Sequence, residues 1–312
     1  WLFRQEQNLF CKGRERMEQY VFFDELPKKV ARAIDLFRTF EAAALKFRPE
    51  GYYLAFSGGK DSVTIYWLAK MAGVKFTAHY HLTTVDSPEL VRFIRKDYPE
   101  VQVEKPELTM WELIVKKQIP PLRRARYCCE VLKEQGGKGA FTVTGVRWQE
   151  SRKREKRSNL EILTSNDPIY LNCDNEESRR QVETCTRKGK RVLNPIIDWT
   201  EEEVWRFIRT YHLPYCILYD MGFRRLGCLG CPLASTKNRE KEFARYPQYA
   251  RAYIRAFDHM VEARTSAGKT KGSWKDGESV FRWWMYGNGK REKQIEGQME
   301  FLFDDHGAGT AA

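Results

Sequence analysis

Two sets of residues in this chain have the types and spacing to do chemistry. The first is the string Ser57-Gly58-Gly59-Lys60-Asp61-Ser62. Adjacent glycines let the backbone turn sharply, Lys60 supplies a cation, and Asp61 and Ser62 are good first-turn residues of a helix. Backbone N–H groups gathered at a helix N-terminus, with the helix dipole behind them, make an anion site whose natural occupant is phosphate. Ser57, Gly58, Gly59 and Ser62 are therefore expected to cradle phosphate, and Lys60 to neutralise negative charge developing there. The string is neither a Walker A loop nor the dinucleotide fingerprint, since it lacks the glycine spacing of either. The second set is Cys128-Cys129 with Cys228-Leu229-Gly230-Cys231. Four thiolates are the usual complement of a [4Fe–4S] cluster or of a structural zinc. Gly227 and Gly230 free the backbone to wrap closely, and Arg123, Arg124, Arg126, Arg224 and Arg225 would offset the thiolate charge.

These residues need elements to hold them. Tyr52 to Phe56 is an apolar run with the bulk of a buried strand, and Val63 to Met71 continues from the glycine turn as a helix that Gly73 ends. Val74 to His81 reads as a second strand. Thr83, Thr84 and Asp86 lie just past it, at the carboxyl edge where open α/β sheets bind ligands. Thr83 and Asp86 are candidates to meet ribose or adenine, and Asp86 reads equally well as a helix cap. Helices are expected over Pro27–Leu45, Pro88–Asp97 and Leu108–Lys117, with strands over Val101–Val103 and Phe141–Thr144. This alternation implies right-handed βαβ units and a parallel sheet covered on both faces, a Rossmann-like doubly wound α/β fold. Further on, Thr200 caps a helix opening with Glu201, Glu202 and Glu203. Phe243 to Ala263 reads as one helix with an aromatic stripe (Phe243, Tyr246, Tyr249, Tyr253, Phe257), either core or a base-stacking surface. Val280 to Met285 reads as a last helix. The expected organisation is an N-terminal extension over 1–26, a nucleotide domain over 27–240 with a basic insertion near 152–191, and a helical C-terminal region over 241–312. Met17 is a candidate translation start.

Composition bounds the possibilities. Hydrophobic residues make up 42% and aromatic residues 13% of 312 residues, enough for a sizeable core. No apolar run reaches transmembrane length, no secretory signal is visible, and the uneven cysteine spacing suits a reducing cytoplasm better than a disulfide framework. The net charge of +12 is concentrated in three groups: Arg123, Arg124, Arg126; Arg152, Lys153, Arg154, Lys156, Arg157; and Arg179, Arg180, Arg187, Lys188, Lys190, Arg191. Such groups suit a polyanion, whether a nucleotide or a nucleic acid.

The string at 57–62 resembles the PP-loop of the ATP pyrophosphatase superfamily, whose members hold an adenine nucleotide and act at its α-phosphate. Arg126-Tyr127-Cys128-Cys129 followed by Cys228-x-x-Cys231-Pro232 is similar to the cluster motif of the iron–sulfur-bearing type of the phosphoadenosine phosphosulfate (PAPS) reductase family in that superfamily. Gly145-Val146-Arg147-x-x-Glu150-Ser151, Asn194-Pro195-Ile196-Ile197-Asp198-Trp199 and Tyr219-Asp220-x-Gly222-Phe223-x-Arg225-x-Gly227-Cys228 resemble other segments of the same family. The resemblance spans residues 30 to 240. It implies an adenine nucleotide alpha hydrolase-like fold and a [4Fe–4S] cluster on Cys128, Cys129, Cys228 and Cys231, rather than zinc. It also implies that Gly145, Arg147 and Ser151 meet the anionic end of the substrate, with Arg154 as a further candidate. Asp61 then holds magnesium or fixes the loop, and Lys60, Asp61 and Arg147 form the catalytic set.

One departure from the family stands out. The reductases use a mobile cysteine near their C-terminus, and no cysteine follows Cys231 here. Cys11, Cys173, Cys185 and Cys216 remain, of which Cys173 and Cys185 lie in the basic insertion, where a thiolate is favoured. The sequence therefore favours ATP with Mg2+ as substrate. In that reading α–β cleavage adenylates an acceptor, pyrophosphate leaves, and sulfur from a desulfurase-like donor passes to a nucleic acid. The alternative is reduction of adenylylsulfate (APS) or PAPS to sulfite, with a thioredoxin-like thiol donor. A non-catalytic nucleotide-binding subunit is a third reading.

Overall fold

The computed structural model describes residues 25–133, 136–163, 190–269 and 274–287, and the backbone of 169–171. Cys11, Cys173, Cys185, Arg179, Arg180, Arg187 and Lys188 lie outside the described residues. The chain divides into two compact units, one of Trp1–Leu113 with Pro121–Ala234, the other of Ile114–Pro120 with Ser235–Ala312. The division thus falls at Ala234 rather than after residue 240, and a short segment from 114 belongs with the C-terminal residues.

The first unit is built on a sheet of seven strands. Its helices and strands are α1 (Leu26–Phe47), β1 (Tyr52–Ala55), α2 (Lys60–Ala72), β2 (Phe76–His81), α3 (Pro88–Asp97), β3 (Gln102–Glu104), α4 (Met110–Lys117, whose last turn belongs to the second unit), α5 (Tyr127–Leu132), β4 (Phe141–Val143), β5 (Leu160–Leu163), β6 (Ile169–Leu171), β7 (Lys190–Leu193) and α6 (Glu201–Thr210). The strand order is β3-β2-β1-β4-β7-β5-β6. All pairings are parallel except those of β5, which runs antiparallel to both β7 and β6. The β5–β6 hairpin sits where the sequence reads as a polar basic insertion. Its strands were hidden by the surrounding charge.

Order reverses between β1 and β4, so the crevice for a ligand opens at the carboxyl ends of those strands. Alternation along the strands gives the sheet two different faces. Tyr52, Leu54 and Phe56 from β1 and its exit join Ala78, Tyr80, Phe141 and Val143 in a core that includes Phe37 and Phe40 of α1 and Leu68 of α2, all buried. The opposite face over β1 to β3 carries Tyr53, Thr77, His79, His81 and Glu104. Gly73, left-handed at φ 71°, ends α2 as its lack of a β-carbon allows. Thr200 and Glu203 close a capping box at the start of α6.

The second unit holds α7 (Thr236–Arg245), α8 (Pro247–Ser266) and α9 (Gly277–Tyr286). The single helix expected from Phe243 is two helices, because Pro247 has no N–H to continue α7 and biases Tyr246 away from helical geometry. Phe243, Tyr253 and Phe257 are buried and pack with Trp284, and Tyr246 is buried too, so the stripe is core rather than a stacking surface. No helix among the described residues is long and apolar enough to cross a membrane.

Candidate functional site

Phe56 leaves β1 and the chain turns through Ser57, Gly58 and Gly59 into α2. Gly58 has φ +70°, and a β-carbon there would come within 2.6 Å of Leu90 Cδ1, so both backbone shape and space demand glycine. Gly59 is the N-cap residue and Lys60 already lies in the first turn, one residue earlier than the sequence suggests. The loop is stitched by its serines: Ser62 Oγ donates to the Gly59 carbonyl at 2.8 Å and stands 3.2 Å from Ser57 Oγ. The Lys60 N–H, one of the donors free to meet an anion at a helix start, donates to the Tyr219 hydroxyl at 2.8 Å. Burial pushes the Tyr219 phenol up from its ordinary pKa.

From the neighbouring strand β4, the chain runs through Thr144 and Gly145 to Arg147. A β-carbon on Gly145 would lie 3.0 Å from the Asp61 carbonyl, so glycine lets this segment reach the first turn of α2. Arg147 is 3% exposed, and its Nε donates to Asp61 Oδ1 at 2.7 Å. Its Nη1 donates to both Gln149 Oε1 at 3.2 Å and the Trp199 carbonyl at 3.3 Å. Lys60 Nζ stands 3.4 Å from Asp61 and 3.6 Å from Glu201. Lys60, Asp61 and Arg147 therefore lie together, with the Arg147 Nε engaged by Asp61. Ser151 follows the 3₁₀ turn Trp148–Glu150 and is exposed. Arg154 pairs with Glu150, and Arg157 with the fully buried Glu161.

At the end of β2, Asp86 accepts from the Thr83 N–H at 2.6 Å and from its hydroxyl at 2.8 Å. The N-cap of α3 is Ser87, so Asp86 does not cap that helix. Instead Asp86 forms an antiparallel bridge with Cys228, Leu229 N donates to the Val85 carbonyl at 2.8 Å, and the Cys228 thiol donates to Thr83 Oγ1 at 3.4 Å. The loop after β2 is thus fastened to the second cysteine pair.

Cys128 and Cys129 begin α5. Their thiols share a hydrogen bond, which together with burial pushes Cys128 up; Cys129, which accepts it and is aided by Arg126 and Lys133, falls to about 5. Cys228 and Cys231 also act electrostatically on Cys128, so the four cysteines share one neighbourhood. Burial raises the Cys228 thiol, with the Lys133 cation opposing. Lys133 is a residue the sequence reading passed over. The Cys228 sulfur and the Asp86 carboxylate push its ammonium pKa up against the effect of burial, and it hydrogen-bonds Cys228. Its signal was its position, a cation one turn beyond Cys129. No group of three or more His, Cys, Asp or Glu among the described residues is arranged to hold a metal ion. Four neighbouring thiols beside Lys133 and Arg126 still have the donor chemistry and charge balance a thiolate-held centre needs.

The profile of the phosphoadenosine phosphosulfate reductase domain matches residues 51–234. The chain belongs to this family. Among PAPS reductase-domain relatives, the adenosine 5'-phosphosulfate reductase of Staphylococcus haemolyticus is 26% identical over 170 residues, 52% of this chain and 60% of that protein. The Allochromatium vinosum protein of the same name is 30% identical over 131 residues, 40% of this chain and 42% of its own. An uncharacterized protein of Methanocaldococcus jannaschii is 28% identical over 217 residues, 64% of this chain and 46% of its own. The chain thus spans about half the length of the curated relatives it matches. A solved PAPS reductase from Candida auris in complex with phosphate aligns with TM-score 0.43 and 17% identity, covering 63% of this chain and 87% of that one.

Proposed function

We propose that this PAPS reductase-family chain binds an adenine sulfonucleotide at the PP-loop and reduces it, releasing sulfite and an adenosine phosphate. This reverses the preference drawn from the sequence. The observation that carries the reading is the fastening of the β2 loop to Cys228 through Asp86 and Thr83, which ties the nucleotide edge of the sheet to the cysteine neighbourhood in one unit. The adenosine 5'-phosphosulfate reductase relatives support it.

The chain's own residues divide the work. Ser57, Gly58, Gly59 and Ser62 present hydroxyl and backbone donors to the phosphate, and Lys60 and Arg147 lower the negative potential around it. Thr83 and Asp86 shape the wall on the side of the ribose and base. Cys128, Cys129, Cys228 and Cys231 would hold an iron–sulfur cluster, which supplies a fixed polarisable charge centre beside Lys133. Reduction needs two thiols: one attacks sulfur and displaces the adenosine phosphate, the second releases sulfite, and the thiols end as a disulfide. Cys216 is fully buried with its thiol pKa raised, so it is unsuited to attack. Cys11, Cys173 and Cys185 are the remaining candidates for an attacking thiol in the residues given, beside a thioredoxin-like donor.

The test is anaerobic incubation with APS or PAPS plus thioredoxin, and separately with ATP and Mg2+, measuring sulfite and pyrophosphate. Sulfite release lost in Lys60→Met supports the reading. Pyrophosphate without sulfite, stimulated by DNA or RNA, replaces it with adenylation and sulfur transfer, which the net charge of +12 favours. Nucleotide binding without either product would mark a non-catalytic subunit.

A further inference from the structure

The sheet face opposite the apolar core carries a continuous chain of polar side chains that the reaction above does not use. Thr77 Oγ1 lies 2.8 Å from His79 Nε2, and His79 Nδ1 lies 2.6 Å from Glu104 Oε1. The other Glu104 oxygen is 3.3 Å from His81 Nδ1, and His81 Nε2 is 2.6 Å from the Tyr53 hydroxyl. The Tyr53 ring stacks on His79 at 4.0 Å, which closes the set on itself. The protons balance in one way with both histidines neutral. His79 Nδ1–H donates to one Glu104 oxygen, His81 Nδ1 faces the other across the longer contact, and each Nε2 accepts from a hydroxyl, of Thr77 or of Tyr53. Burial favours the neutral form of both, and the cations Arg48, Lys133 and Lys190 act in the same direction against the Glu104 charge.

The turn that follows α5 sits on this chain. A β-carbon on Gly136 would overlap the Tyr53 hydroxyl and His81 Nε2, so the backbone rests directly on that hydrogen bond. Gly137, at φ +71°, would place a β-carbon 2.8 Å from Thr142 Oγ1 and 2.9 Å from the Tyr53 ring. Lys190 Nζ donates to the Gly136 carbonyl at 3.1 Å from the β7 side. Gly136 is only three residues beyond Lys133, which hydrogen-bonds Cys228, and α5 carries Cys128 and Cys129.

We propose that Tyr53 and His81, held by Glu104 and His79, are positioning residues: they seat the Gly136–Ala140 turn and so fix α5, with Cys128, Cys129 and Lys133, against the second cysteine pair. The importance of that placement for catalysis rests on the reductase reading. The seat itself can be tested without substrate.

The experiment is amide hydrogen exchange on the full chain, comparing wild type with Tyr53→Phe and Lys190→Met. Tyr53→Phe keeps the ring on His79 and removes only the hydroxyl. Lys190→Met loosens the turn from the other side and leaves the polar chain intact. Exchange over 127–133 and 136–140 is expected to rise at least tenfold in both variants, with amides of α1 and α2 unchanged. Nitrogen-15 spectra at neutral pH should show Nδ1–H on His79 and His81, lost in Glu104→Gln. In the sulfite assay both variants should lower kcat at least fivefold with KM within twofold. Unchanged exchange in the two segments, or equal acceleration throughout the sheet, overturns the proposal. Should Tyr53→Phe not fold, Lys190→Met alone decides. Sulfite failure with the exchange pattern intact overturns the reductase reading and leaves the seat standing.

Discussion

Removing the Arg147 guanidinium would leave the Asp61 carboxylate facing Lys60 alone, and would strip the Trp199 carbonyl of a donor. Breaking one partner of a buried pair costs several kcal/mol, less where one side is wetted, as Asp61 is at 22% exposed. Arg147→Ala should therefore destabilise the first unit by about 2–3 kcal/mol in urea denaturation. Arg147→Lys should recover little of it, because an ammonium cannot meet Asp61, Gln149 and Trp199 at once. Gly58 is the second position where one atom decides the outcome. Gly58→Ala must hold φ +70° with a β-carbon 2.6 Å from Leu90, so it should cost about 1–2 kcal/mol. Nucleotide affinity by calorimetry should fall at least tenfold with it, since the loop's N–H groups would no longer converge.

Elements carry consequences that single residues do not. Strand β2 places both His79 and His81 on one face, and both are held below their ordinary pKa by burial. A base whose folded pKa is depressed binds fewer protons folded than unfolded, so stability rises with pH through that window. The contribution is complete above the unfolded histidine value of about 6.5 and is lost as pH falls from there toward the folded pKa values. The melting temperature should accordingly drop between pH 7 and pH 5. His79→Gln should flatten that slope, and a slope unchanged by the substitution would count against the neutral pair. At α6 the Thr200 cap accepts from Glu203 N while Glu203 reaches back to Thr200 N at 2.7 Å. Thr200→Ala should cost about 1 kcal/mol in the same denaturation assay.

For the molecule as a whole, the formal charge of +12 is a net figure, and among the described residues several of the basic side chains have local partners. Arg154 and Arg157 are engaged with Glu150 and Glu161, Lys190 with Gly136, Arg191 lies over Phe47, and Arg239 holds carbonyls of α9. Arg154 and Arg157 should therefore add little to any contact with duplex DNA: Arg154→Ala should leave the slope of log K on log salt nearly unchanged in mobility-shift titrations at several salt concentrations. Much of this architecture was legible in the chain. The glycine pair at 58–59 with its flanking apolar runs located β1, the loop and α2, and Ser87-Pro88 marked the start of α3. What stayed hidden depends on distant partners. Nothing local says that Arg147 turns inward to Asp61, that Asp86 bridges Cys228, or that a charged stretch contains the strands β5 and β6. Lys133 was visible only as one basic residue among 54 until α5 placed it beside Cys228.

The Tyr219 hydroxyl accepts the Lys60 N–H at 2.8 Å, so one donor of the proposed phosphate site already has a partner. An arriving phosphate oxygen competes with a tethered phenol, much as an inhibitor competes with substrate. The measured affinity is then a difference between two hydrogen bonds. Tyr219→Phe deletes the competitor, and inorganic phosphate should bind it several-fold more tightly than wild type. Affinity that falls instead would make Tyr219 a ligand-holding group. Were phosphate to displace that bond, the segment from Tyr219 to Cys228 would register every loading of the loop.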